Sequence, residues 1–151
     1  LGDGSEDGNV AREIQVPIHC DIVTQDRSLF SGDVDMVVAS GSEGVLGILP
    51  HHTPLLTTLS YGVLIIKAGG KEEAFTIAGG IMEVLPDVVT VLADVGERVE
   101  EIDVARAEAA KAKAEELLKQ APGAGTEAYL KAMSSLRLSQ LRLDAAKKYR
   151  K

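Results

Sequence analysis

Apolar positions recur with period two through the first two-thirds of this chain and with helical spacing through the last third. Ile18, Cys20 and Ile22 alternate with His19, Asp21 and Val23, which gives an opening strand one apolar face. A turn at Gln25-Asp26-Arg27-Ser28 is followed by Leu29-Phe30, a break at Ser31-Gly32-Asp33, and a strand over 34–39. Between residues 40 and 57, glycines at 41, 44 and 47 punctuate a short apolar run, and Pro50 and Pro54 bias the residues before them towards extended geometry. That pattern predicts two short strands joined by a rigid corner. Residues 62–68 form a continuous apolar strand, and Gly69-Gly70 reads as a hairpin turn that needs positive φ. Residues 72–78 return, Gly79-Gly80 kinks the chain, 81–85 continue, Pro86-Asp87 turns, and 88–93 close the set. About nine strands at roughly 8–12-residue spacing predict a sandwich or barrel.

The period changes after Arg98. Asp103 reads as a helix N-cap, with Ile102 before it and Ala107 at the fourth helical position as a hydrophobic staple. The helix that follows is alanine-rich, with Lys111/Glu115 and Glu115/Lys119 at i,i+4 spacing. Ala121-Pro122-Gly123-Ala124-Gly125 ends it, and Thr126 caps a second helix, on which Leu130, Met133, Leu136 and Leu141 lean to one side. Lys147 and Lys148 near its end suit the negative pole of the helix dipole. The fold class is therefore β + α, with a β domain, sandwich or barrel, over 15–99 and an antiparallel two-helix hairpin over 100–151. Residues 1–14 are polar, Gly-rich and aperiodic, and are expected to be a disordered leader. Each alanine that stands where a core helix would carry leucine forgoes roughly 2.4 kcal/mol of burial, at ~0.8 per CH₂. Such a hairpin can dock and lift off again, and a permanently docked hairpin fits the same pattern.

Charge sharpens the division. The net of −7 splits into −11 over residues 1–100 and +4 over 101–151. A basic tail of this kind suits an acidic surface, either its own first domain or a partner's. An acidic β region with 3% aromatic residues and no Trp argues against nucleic-acid binding. One cysteine, Cys20, precludes an internal disulfide and reads as core, and no apolar run is long enough to span a bilayer.

The search for chemistry finds no recognisable active site. Gly69-Gly70-Lys71 is not a phosphate loop, because Glu72 stands where Ser or Thr would reach magnesium. His51 and His52 are adjacent, so on an extended chain they point to opposite faces, and no metal site is expected. Ser42 and Glu43 lack the spacing of a nucleophile elbow and read as turn residues. No catalytic residue is expected.

Four motifs carry a resemblance. Residues 41–57 follow G-S-E-G-x-L-G-I-x-P-x-H-x-P-L-L-T, residues 79–84 carry G-G-x-x-E-V, residues 89–94 read V-T-V-L-A-D, and residues 102–107 fit [I/L]-D-x-x-R-A. In this order, and from Pro17 nearly to the C-terminus, the chain resembles the epsilon subunit of the rotary proton-translocating ATP synthase of bacterial type. The resemblance implies a flattened sandwich of about ten strands followed by two helices. It implies a non-catalytic central-stalk subunit that couples gamma to the c-ring and inhibits ATP hydrolysis through its C-terminal helices. Its partners would be gamma, the c-ring and the catalytic alpha/beta head. It would lie peripherally on the cytoplasmic face of the inner membrane, without direct membrane insertion.

Residue by residue, the resemblance places Ser42, Glu43 and Val45 towards the c-ring and His52 towards gamma; the basic Arg137 and Arg142 are candidates for acidic surface on the head. Ile102, Asp103 and Arg106 match a motif that in some relatives helps bind ATP, while Lys131 and Ser135 stand where an arginine pair would complete the clamp. Lys replaces bidentate arginine poorly. No cofactor is expected, and ATP at most as a weak regulatory ligand. The alternative function is a free-standing adaptor whose hairpin senses a nucleotide.

Overall fold

A computed structural model describes residues 16–150, so the leader expected over 1–14 lies outside the described residues. The chain forms ten strands: β1 (Ile18–Val23), β2 (Ser28–Val34), β3 (Met36–Gly41), β4 (Gly44–Ile48), β5 (Leu55–Leu59), β6 (Gly62–Ala68), β7 (Lys71–Ile77), β8 (Gly80–Val84), β9 (Val88–Ala93) and β10 (Gly96–Arg98). A 3-10 turn at Val99–Glu101 leads to α1 (Val104–Gln120) and α2 (Glu127–Tyr149). Strand order is β10-β7-β6-β3-β5-β8-β9-β1-β2, with β4 paired to β3. The first residues of β3 pair with β6 and its last residue, Gly41, pairs with Leu59 of β5, so one strand belongs to both halves of the sheet. The sheet folds back on itself there, bringing β2 against β6 and β10.

Alternation explains the core. Ile18, Cys20 and Ile22 are at most 1% exposed, while the residues between them face outward. Phe30 of β2 meets Phe75 of β7 edge to face, with ring centroids 6.2 Å apart, a geometry favoured by the ring quadrupoles. Gly69 and Gly70 take φ of 58° and 79°, as the two-residue hairpin between β6 and β7 requires.

Two sequence expectations change. The chain does not break at Ser31-Gly32-Asp33: β2 runs through them, paired with β1, and the bend falls at Asp35. The reason is local bonding, since the Asp35 N–H donates to Lys67 O and its carboxylate accepts from Gly69 N–H. Gly79-Gly80 does not kink one strand but separates two. β7 pairs with β6 and β10, whereas β8 pairs with β5 and β9, so the chain crosses between halves at this point. A Cβ on Gly80 would lie 2.2 Å from Leu92 O, so the crossing admits only glycine. On α2, Leu130 and Met133 lie outside the buried face. They stay 57% and 40% exposed, and the buried positions are Ala132, Ser139, Ala145 and Ala146.

Candidate subunit-contact surfaces

The hairpin closes through small side chains. Ala107 and Ala114 on α1, and Ala132, Ser139 and Ala146 on α2, recur every seven residues and are buried. The Ser139 hydroxyl donates to Ser135 O within its own helix, so no polar atom is left bare in the seam. Both caps form as expected. Asp103 Oδ1 accepts from Arg106 N–H at 3.0 Å, and Thr126 Oγ1 accepts from Tyr129 N–H at 3.2 Å.

A second apolar cluster joins this hairpin to the sheet. Val99, Ile102, Ala145 and Ala146 pack with Val63, Ala74, Val104 and Tyr149, so α2 covers the outer face of β6 and β7. Polar ties from α2 and its C-cap reinforce it. The Arg137 guanidinium lies 4.2 Å from the ring centre of Tyr61. Arg142 Nε donates to the Glu97 carboxylate. Arg150 Nη2 donates to Glu100 O and Ile102 O at 2.8 and 2.7 Å. On the sheet itself, Arg98 donates to Leu29 O, pairs with Glu73 and stacks on Phe75. The acidic surface that the basic tail meets here is thus its own first domain, and Arg137 and Arg142 are engaged within the chain.

The other candidate residues are dispersed. Ser42 and Glu43 form the exposed β3–β4 tip beside Val45, which is 73% exposed. His52 lies beyond the far end of β4, on the order of 20 Å along the chain direction at ~3.3 Å per residue. Its Nδ1 is 2.6 Å from Thr53 O. The corner that holds it has a feature the prolines did not announce: His51 takes φ of 63° and donates its N–H to Pro86 O. Ile102 is core, 2% exposed. Asp103 and Arg106 sit at the first turn of α1, whereas Lys131 and Ser135 line a groove with Lys113, Leu117 and Gln120 of the later turns of that helix. Arg106 and Gln120 are about 21 Å apart along the axis. The structure does not bring the nucleotide candidates into one pocket.

The outer face of the other half of the sheet is open. Thr58, Ile81, Leu92 and Val23 form one row across β5, β8, β9 and β1, and Leu56, Glu83, Thr90 and Asp21 form the next. Leu56, Ile81 and Leu92 remain 68%, 41% and 45% exposed. At the β1–β2 end of this face, His19 stands between two carboxylates. Its Nδ1 lies 3.3 Å from Asp33 Oδ1 and its Nε2 lies 3.3 Å from Asp21 Oδ1, which also accepts from Ser31 Oγ. Neutral imidazole has one N–H, so donating to both carboxylates takes the imidazolium. The hydrogen bond to Asp33, then the charge of Asp21, raises the His19 pKa above its ordinary value against the opposing effect of burial. Burial pushes the neighbouring Cys20 thiol up to about 12.

Among the described residues no group of three or more His, Cys, Asp or Glu side chains could hold a metal ion, and no helix is long and apolar enough to cross a membrane. The β-sandwich domain of the ATP synthase Delta/Epsilon chain matches residues 17–99, and its long alpha-helix domain matches 100–147. The ATP synthase epsilon chain of Dehalococcoides mccartyi is 52% identical over 136 residues, covering 87% of this chain and 93% of the relative. That of Herpetosiphon aurantiacus is 46% identical over 132 residues, covering 87% and 96%. A chain in the Euglena gracilis mitochondrial ATP synthase assembly of OSCP, F1 and c-ring superposes with a TM-score of 0.75 at 25% identity, over 97% of this chain and 86% of that one. With both domain matches in order from residue 17 to 147, and with relatives of this closeness along nearly their full length, the chain belongs to the ATP synthase delta/epsilon family, as an epsilon chain.

Proposed function

We propose that this chain is a non-catalytic central-stalk subunit that couples gamma to the c-ring and brakes ATP hydrolysis with its helical hairpin. The observation that carries the reading is the asymmetry of the sheet. One half has its outer face covered by α2, while the other exposes Leu56, Ile81 and Leu92 in adjoining rows. A contiguous apolar face of this kind suits a permanent partner, and gamma is the partner assigned to it. The c-ring contact falls at the Ser42-Glu43 tip, with apolar Val45 beside it. The subunit works peripherally, on the cytoplasmic side of the membrane. Nucleotide is not held tightly, since Asp103 serves as the α1 cap and Lys131 lies towards the other end of the hairpin.

The brake follows from how the hairpin is fastened. From α2 the side chains packed against the sheet are Ala145, Ala146 and Tyr149, two of the three alanine, and the large apolar residues Leu130 and Met133 face outward. Lifting the hairpin therefore exposes modest apolar area, and a catalytic head that contacts the lifted form more strongly would select it. Two measurements test the reading. Leu56→Lys and Ile81→Lys in the full chain should weaken gamma binding at least tenfold; unchanged affinity would remove gamma from this face. Deleting residues 126–151 should raise ATP hydrolysis by the assembled enzyme and leave synthesis nearly intact. Hydrolysis at the parental rate would make the hairpin a passive strut.

A further inference from the structure

The open sheet face carries one side chain whose charge is set by pH near neutrality. β1, β2, β5, β8 and β9 contain no Lys or Arg, and His19 is the single basic residue in these five strands. The charged side chains bonded to it are acidic, and His51 reaches the neighbouring β8–β9 turn through its N–H bond to Pro86 O. Asp21 stands on its own strand and Asp33 opposite it on β2. On the parallel neighbour β9 it pairs with Val88, next to Thr90, and the turn before β9 contributes Asp87, whose carbonyl accepts the His19 N–H. Glu83 of β8 lies on the same face, in the row of Thr90 and Asp21.

We propose that His19, clasped between Asp21 and Asp33, makes this face proton-sensitive, so that a basic partner surface docks on it more tightly when the imidazole is neutral. This rests on the reading that gamma occupies the open face. With the imidazolium in place, the His19, Asp21 and Asp33 group carries a net charge of about −1; once the proton leaves, about −2. The carboxylates then lack their internal cation and are free to pair with cations of the partner. Within the chain the sign is opposite. The clasp across β1 and β2 is fully formed below the ordinary histidine range, and its contribution is lost as pH rises through the raised value of the folded state. Acid thus favours self-pairing on this face, and alkali favours the partner.

Two experiments on the full chain decide it. In an NMR titration of the imidazole signals, His19 should titrate above a model-peptide histidine, and Asp33→Asn should lower its midpoint; a His19 midpoint at or below the model value overturns the clasp. Affinity for purified gamma should then be measured at pH 6 and pH 8 at fixed ionic strength. The parent should bind about two- to five-fold more tightly at pH 8, and His19→Gln should flatten that dependence. Equal pH dependence in parent and His19→Gln overturns the inference while leaving gamma on this face. If Leu56→Lys does not weaken binding at either pH, the docking surface itself is wrong and the inference falls with it.

Discussion

Cys20 lies between His19 and Asp21 on β1, and three consecutive side chains there have opposite fates because a strand alternates its faces. The thiol is fully buried and its pKa is pushed up to about 12, so at pH 8 only about one molecule in ten thousand carries a thiolate. Native protein should therefore resist iodoacetamide at pH 8 and react only as it unfolds. Labelling that runs at the speed of a free thiol, with the β signals intact, would contradict this burial. The inward set Ile18, Cys20 and Ile22 was legible from alternation alone. The tie between His19 and Asp33 was not, because those residues are 14 apart and meet only through the β1–β2 register. His51 was opaque for another reason: its positive φ occupies a position where no glycine signals it.

At the scale of elements, strands with two or more clear apolar positions and helices with side-chain caps were readable, and pairing was not. β10 is three residues long and contains no apolar residue, so no periodicity could mark it. The crossing at Gly79-Gly80 looked like a kink because sequence shows that glycine is needed, not which strands its neighbours join. The alanine ridge of α1 was readable as a surface for close approach, whereas its partners on α2 were not, because Ala132, Ser139 and Ala146 stand singly among larger residues. Ala114→Leu should overpack the hairpin seam at a cost of about 1–3 kcal/mol. Hydrogen exchange should then quicken across 104–149 and stay unchanged in β1, β8 and β9. If exchange quickens everywhere, the hairpin and the sheet form one cooperative unit. If it quickens nowhere, Ala114 is not at a closed seam.

For the whole molecule, the two regions are tied by a few partly exposed contacts, chiefly the ion pair of Arg142 with Glu97 and the cation–π contact of Arg137 over Tyr61. Such contacts are individually worth little and are salt-sensitive. Arg142→Ala should favour the lifted hairpin, and under the proposed function the assembled enzyme should then hydrolyse ATP more slowly than the parent. A rate equal to or above the parental one would mean that this contact does not hold the brake down. The placement of the ties also bears on how quickly the hairpin can undock. Arg150 bonds beside the start of α1, Arg142 lies farther along, and Arg137 is nearest the free loop. The hairpin can consequently peel from its loop end, losing one contact at a time, with Arg150 at the root acting as the last stitch. A barrier divided in this way is crossed in small steps, so docking and release can keep pace with microsecond-to-millisecond domain motions. Under the proposed function, partly peeled forms would give inhibition graded settings rather than two.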